Sequence, residues 1–399
     1  MKISLNTQIF IGVLLGMVFG IILGHSALSP QAASLFLPGF DLIGKIFINL
    51  LKMIMIPLVF TSIASGIANL KNSTQSRQIW TTLIGYSFTT TALAAITGLV
   101  AMNLIKPGVG LDIHLFKNSM ITFQVHSMTL KGFAAAIGQN YIFMVIVLAV
   151  VVGLTIVALG EKSKRVLRVI NDSFEITMTV VRWIMYLAPL GIMGLLTKLI
   201  AQQDLQLLLV LSKYILVVVG TTLFHGLITL PIILWLITKI SPLKFFFCMK
   251  EALITAFSTS SSTATLPVSL RCITENLNVN KHVAQFVLPV GATLNMDGTA
   301  MYEAMAALFV ANLCGAHLTL VSQVIVLLTA MMASIGAPGI PSAGMVTMIM
   351  VLQSVGLPAQ AVAILIAIDR PLDTIRTVVN VEGDCIGACV VQKLAKCSN

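Results

Sequence analysis

Three features of this 399-residue chain predict an all-α, polytopic membrane protein. Hydrophobic residues make up 57% of it and charged residues only 10%, against about 25% charge in soluble domains. Stretches without Asp, Glu, Lys or Arg recur, such as 79–105 and 143–160, and about 20 apolar residues cross a bilayer core. Basic residues gather in alternate loops: Lys162, Lys164, Arg165 and Arg168 in one, Lys71 and Arg77 in another, Lys239 and Lys244 in a third, and none over 25–40. This is the positive-inside pattern. It puts the N-terminus, those three loops and the tail with Lys393 and Lys396 in the cytoplasm. The net charge of +10 therefore reflects topology, and no nucleic-acid partner is expected. Six Cys residues are scattered without a framework spacing. Cys385 and Cys389, four apart on a helix, read as packing rather than a metal site.

In chain order, ordinary spans are predicted at about 7–24, 42–69, 79–105, 143–160, 170–201 and 206–239. No small-residue cleavage site follows the first, which reads as a retained helix rather than a signal peptide. Segment 106–142 is more polar and reads as an extracellular loop with short helices. Further on, Ser258 to Thr265 holds hydroxyl residues at seven of eight positions, with Pro267 next and apolar arms at Phe245–Phe257 and Leu266–Cys272. Such hydroxyls often only bond back to their own helix. Beside a proline, so dense a run reads instead as the unwound tip of a re-entrant hairpin. Residues 318–368 carry no charge, and their middle, Ser334 to Gly344, has three Gly and two Pro, which break helices. A second re-entrant hairpin fits. Non-helical backbone inside a membrane is tolerated only against protein or a wet cavity, so both tips are expected to line a site. With the span through Asn295 and the last span, the count is eight transmembrane helices plus two hairpins. Each hairpin precedes a span, the mark of inverted repeats with a site near the midplane.

Six of the fourteen Asp and Glu residues lie between 297 and 384, mostly in apolar sequence. An ionisable group in a membrane costs several kcal/mol and needs a partner, a cavity or a task. In the last span Asp369, Asp373, Arg376, Thr377, Asn380 and Asp384 share one stripe roughly 100° wide at about 100° per residue. Glu382 falls on the opposite side and receives no role, while Arg370 reads as a snorkelling residue. Three carboxylates and one guanidinium leave net negative charge that bound cations would balance. The preceding span carries Asn295-Met296-Asp297-Gly298-Thr299. Asn and Gly are poor helix formers, so unwinding there would expose carbonyls. Hard cations such as sodium take oxygen ligands, and Asn295, Asp297, Asn380 and Asp384 supply them. Glu303, without an obvious cationic neighbour, is costly as an anion and is a candidate proton carrier. Arg376 has the planar fork that grips a carboxylate bidentately. Asp373, one turn away, suits an ammonium. Together they would read the side-chain carboxylate and α-amine of glutamate or aspartate, with the hairpin tips holding the α-carboxylate.

The serine-rich first hairpin, Asn295–Thr299, the Gly/Pro-rich second hairpin and Asp373 to Asp384 stand in an order and spacing that resemble the dicarboxylate/amino acid:cation symporter family, which includes glutamate and aspartate transporters. The match is strong over about 244–392, with Lys52–Val59 a good local match upstream. The resemblance implies a homotrimer in the plasma membrane (the bacterial inner membrane), with no cofactor beyond sodium ions and/or protons as coupling ions. It implies scaffold helices 1–2 at 1–78 and 4–5 at 143–205. The transport part would comprise helix 3 at 79–105 and the core at 206–399, sliding as an elevator with the second hairpin as extracellular gate. It assigns Arg376 to the substrate's side-chain carboxylate with Thr299 nearby, Asp373 to the amine, and Asn380 with Ser261 and Ser262 to the α-carboxylate. Thr377, Ile340 and Gly344 complete the substrate set. One cation site would use Gly291, Asn295, Asn380 and Asp384. A second would use Thr293, Met296 and carbonyls near Ser334, and a third Asp297 with Thr90 and Thr91. A Tyr expected close before that hydroxyl pair stands out of register as Tyr86. The second Arg frequent in sodium-coupled members is replaced by Ser260 or Thr374, with Arg370 as a partial substitute. Glu303 stands where proton-coupled members have Glu and archaeal sodium-only members Gln.

Within the family, a C4-dicarboxylate carrier would lack the amine-binding Asp and a neutral amino acid carrier the Arg, and both are present here. Asp297 and Asp384 could pose as an intramembrane aspartyl protease pair, but Val381-Glu382-Gly383-Asp384 lacks that motif's glycine two residues before the Gly-Asp pair. A pure channel is the remaining alternative; reversal potentials in vesicles separate it from a coupled carrier.

Overall fold

Hydrocarbon offers no hydrogen bonds, so backbone polar groups there must be satisfied within their own segment, and helices follow. The computed structural model describes residues 5–24, 30–68, 74–110, 141–202, 206–335 and 344–395, and among these there is no strand. The helices are α1 (Leu5–Gly24), α2 (Pro30–Ala68), α3 (Thr74–Ile105), α4 (Tyr141–Leu159), α5 (Lys164–Tyr186), α6 (Ala188–Gln202) and α7 (Gln206–Phe224). A π-turn, His225–Thr229, joins α7 to α8 (Leu230–Thr238). Then come α9 (Pro242–Thr259), α10 (Ser262–Glu275), α11 (Lys281–Leu294), α12 (Asp297–Leu313), α13 (Leu320–Ile335), α14 (Gly344–Ser354) and α15 (Val362–Leu394). Among the described residues four helical stretches are long and apolar enough to cross a membrane: Thr7–Gly24, Leu35–Ala68, Gln78–Ile105 and Leu209–Thr238. A fifth follows if the bent run Val147–Lys198 is taken as one.

α1 packs lengthwise on α6. Gly12, Gly16, Gly20 and Gly24 recur every fourth residue and form the contact. A Cβ at Gly12 would lie 2.4 Å from the Pro189 carbonyl oxygen, and one at Gly24 2.7 Å from Ala201 Cα. Small residues at this spacing let two backbones close up where no hydrophobic drive exists between helices. Asp41 ties α2 to α6, accepting from Lys198 at 2.7 Å and from Lys45 at 2.7 Å. α3, α8, α9, α11 and α12 pack around α15, which also touches α6.

Several sequence expectations need correction. Residues 30–41, read as part of a loop, are helical. Pro30 opens α2, where a missing N–H costs nothing, and α2 continues through Pro38. The single span expected at 170–201 is two helices, α5 and α6, meeting at 51° about Leu187. Pro189 has no N–H to return to the fourth residue before it, and Leu187 bonds to Ile184 O at 2.9 Å instead. The hydroxyl run of the first hairpin is mostly helical. Ser258 and Thr259 bond back to Ile254 O and Thr255 O, both at 2.8 Å. Only Ser260, left-handed at φ 50°, and extended Ser261 break the chain. Ser261 Oγ caps α10 by accepting from Ala264 N at 3.2 Å, and Pro267 sits inside α10. In the second hairpin, α13 and α14 pack together. The residues between them, Ile340 included, lie outside the described residues, as do most of 106–142.

Candidate functional site

The site grows where the break between α11 and α12 faces α15. Between α11 and α12, Asn295 (φ −105°, ψ 79°) and Met296 (φ −115°, ψ 60°) leave the helical region. This is the unwinding the Asn-Met-Asp-Gly sequence predicts. It turns the side chains of Asn295 and Asp297 inward, both fully buried. Glycines let the surrounding helices close in. A Cβ at Gly291 would fall 2.6 Å from Asp384 Oδ1, one at Gly383 2.6 Å from Asn295 Nδ2, and one at Gly298 2.8 Å from Arg376 O.

All six stripe residues of α15 are buried, Arg376 to 1% exposure. Arg376 Nη2 donates to Asp369 Oδ1 at 2.7 Å and to Asp373 Oδ1 at 2.8 Å. Its Cζ stacks 3.9 Å from the Tyr302 ring centroid, a cation–π contact. Nε and Nη1 have no hydrogen-bond partner among the described residues. The guanidinium is thus neutralised along one side and still has donors to offer along another. Arg370 corrects its sequence reading: it is largely buried, and its Nη1 donates to Asp373 Oδ2 at 3.3 Å. Beside this network Asn380 Nδ2 donates to Thr299 Oγ1 at 3.1 Å, and its Oδ1 accepts from Gly298 N at 2.8 Å.

Around Asp297 the oxygens converge. Thr91 donates to Oδ1 at 2.7 Å and Thr90 at 3.2 Å, with Thr90 also 3.2 Å from Asn295 Oδ1. This donor set of carboxylate, amide, hydroxyl and freed carbonyl oxygens fits a hard cation. Asp384 Oδ1, buried against Gly291 without a hydrogen-bond partner among the described residues, points the same way. Thr293 and Ser334 behave differently. Their hydroxyls return to Val290 O and Met331 O of their own helices, so no side-chain bond joins the set assigned to the second cation. Glu303 is fully buried and accepts from Thr347 of α14. A Cβ at Gly344 would lie 3.4 Å from Thr299 and 4.0 Å from Glu303, so the first residue of α14 lies against both. Ser261 and Ser262 are buried at the first tip, and Thr377 is buried on the stripe.

A profile of the sodium:dicarboxylate symporter family matches residues 5–394. The chain belongs to that family. Mouse "Excitatory amino acid transporter 3" is 35% identical over 444 aligned residues, covering 96% of this chain and 84% of the relative. The human protein of the same name is 37% identical, covering 88% of this chain and 79% of the relative. Human "Neutral amino acid transporter B(0)" is 34% identical, covering 96% and 77%. The family and these relatives are transporters, not enzymes, so the aspartyl-protease alternative falls.

The structure adds residues of this symporter that the sequence left without a role. Asp369 joins Asp373 on Arg376. Thr347 and Tyr302 flank Glu303 and Arg376. Tyr86, out of register for a cation site, donates to Gly383 O at 2.9 Å and braces α3 on α15. Glu382, placed opposite the stripe, is buried too, against Gly226. His225 touches Asp297. A lone imidazole amid the apolar 206–239 span was the only sequence signal for it.

Proposed function

We propose that this protein is a secondary active symporter that takes up an acidic amino acid, glutamate or aspartate, with sodium and a proton. The observation that carries the reading is Arg376 and Asp373, buried side by side next to Asn380 and Thr299. Arg376 binds the side-chain carboxylate and Asp373 the ammonium. Thr299 lies on the side-chain carboxylate's side; Asn380, Ser261 and Ser262 hold the α-carboxylate, and Thr377 with Gly344 and Ile340 of the second hairpin completes the set. A neutral amino acid offers no carboxylate to Arg376 Nε and Nη1, the donors that Asp369 and Asp373 do not engage, and a C4-dicarboxylate offers Asp373 no ammonium.

Sodium is held by Asp297 with Thr90 and Thr91, and by Asn295, Asp384, Asn380 and the Gly291 carbonyl. Thr293, Met296 and Ser334 serve a further ion. Glu303 carries the proton. The scaffold comprises α1, α2 and α4–α6. The transport part, α3 and α7–α15, moves as an elevator, with α9–α10 and α13–α14 as re-entrant hairpins. Three copies assemble in the bacterial inner membrane with both termini cytoplasmic. The exposed basic residues Lys162, Lys164, Arg165 and Arg168 face that side.

Vesicles reconstituted with the protein test this, with sodium and proton gradients imposed separately. Labelled glutamate or aspartate accumulates only with the sodium gradient and faster with both. Succinate uptake without aspartate uptake rejects the substrate. In the same vesicles Glu303→Gln abolishes the acceleration by the proton gradient while sodium-driven uptake persists. An unchanged response to the proton gradient removes Glu303 as the carrier.

A further inference from the structure

One buried histidine is not used by the transport reading. The π-turn at His225–Thr229 interrupts the span α7–α8. Such wide turns occur as single insertions within helices, often at functional places. Here Leu227 and Ile228 face outward and His225 is buried completely. Gly226 makes the approach possible: a Cβ there would press on Val379 Cγ2 at 3.0 Å and Glu382 Oε2 at 3.1 Å of α15. The result is a contact between His225 Nε2 and Asp297 Oδ2 at 3.3 Å, both side chains fully buried. His225 Nδ1 has no hydrogen-bond partner among the described residues. Nε2 faces a carboxylate oxygen, which can only accept, so the hydrogen of this bond is the imidazole's, and it is the polar tie of His225 among the described residues.

This contact completes a pattern. Asp297 Oδ1 receives Thr90 and Thr91 from α3, and its other oxygen, Oδ2, receives His225. A carboxylate held at both oxygens cannot rotate. An imidazole N–H fixes it through one hydrogen bond at the second oxygen. Ligands of metal ions are commonly held in this way by outer partners.

We propose that His225 is a positioning residue for cation binding: its Nε2–H locks the Asp297 carboxylate so that Thr90, Thr91 and Asp297 present one fixed oxygen set to sodium. The proposal rests on the reading of Asp297 as a sodium ligand. Two readouts test it on the purified full-length protein. One is the sodium concentration giving half-maximal thermal stabilisation without substrate; the other is substrate affinity at saturating sodium.

His225→Leu is expected to raise the sodium midpoint roughly 10- to 100-fold and leave the saturating-sodium substrate affinity within a few-fold. His225→Gln, whose amide N–H reaches to about the same place, restores the midpoint to near the parent value. If His225→Leu does not fold, His225→Asn, whose shorter amide stops short of Asp297, carries the same expected rise. An unchanged midpoint overturns the proposal. So does equal loss in His225→Gln and His225→Leu, or a parallel fall in both readouts, which marks a merely structural role. Asp297→Asn separates the layers. If it too leaves the midpoint unchanged, the ligand reading fails and takes the proposal with it. If it raises the midpoint while His225→Leu does not, only the role of His225 is lost.

Discussion

Arg376→Ala abolishes uptake of glutamate and aspartate, with a fall of about 100-fold or more. Two charged hydrogen bonds to a carboxylate are worth roughly 3–6 kcal/mol together, and about 1.4 kcal/mol is a factor of ten. The substitution also strands Asp369 and takes from Asp373 one of its two guanidinium partners, leaving it Arg370. Removing one partner from a buried charge network costs about 3–5 kcal/mol, so the variant should also melt earlier. The two effects come apart in the double variant Arg376→Ala with Asp369→Asn. Taking away a stranded charge recovers part of the lost melting temperature and none of the uptake. Vesicle uptake beside melting curves checks this. A folded Arg376→Ala protein that still takes up aspartate at a tenth of the parent rate would remove Arg376 from recognition.

Gly298→Ala is the second substitution expected to have a large effect, although it adds a single methyl group. That methyl meets Arg376 O, Cα and C of α15 at 2.8, 3.0 and 3.2 Å. These are backbone atoms and cannot swing aside. α12 must lift off α15, straining the bond from Gly298 N to Asn380 Oδ1 and moving Thr299 away from Asn380. Overpacking of this kind costs about 1–3 kcal/mol, and substrate affinity should fall tenfold or more. Gly66→Ala is the matched control. It lies in a helix with nothing within 4 Å of its added carbon, and trading glycine for alanine there gains about 1 kcal/mol. Isothermal binding of aspartate to both variants decides the matter, and equal affinities would show that the Gly298 contact is not tight.

What the sequence revealed and what it hid follow from the range of the forces involved. The stripe from Asp369 to Asp384 was legible because helical periodicity alone brings those residues onto one face. The break at Asn295–Met296 was legible because weak helix formers cluster there. Ser258 to Thr265 misled for a local reason: each hydroxyl can either replace a backbone bond or lean back onto the preceding turn, and Ser258, Thr259 and Thr265 do the second. The bend at Leu187 was written in Pro189 but masked by continuous hydrophobicity on both sides. The resemblance supplied Thr90 and Thr91 as partners of Asp297, but other partners of Asp297, Glu303 and Arg376 could not be read from one strand of text. His225, Thr347 and Tyr302 reach them only after separate helices have packed, and Asp369 shares the stripe without its spacing saying which charge it would bind.

The two-residue gap between α11 and α12 has an electrical consequence. α11 ends there with carbonyls that have no amide of their own helix to accept from, a region of partial negative potential; α12 begins there with amides that have no carbonyl of their own helix, Gly298 N turning to Asn380 instead, a region of partial positive potential. Opposite poles thus lie a few ångströms apart deep in protein, where bulk salt does not screen them. A positive ion drawn to the first pole and a carboxylate drawn to the second would each lower the other's energy through medium of low polarisability. The pairing of driving ion and cargo would then be written into the polypeptide backbone itself, ahead of any choice of side chain.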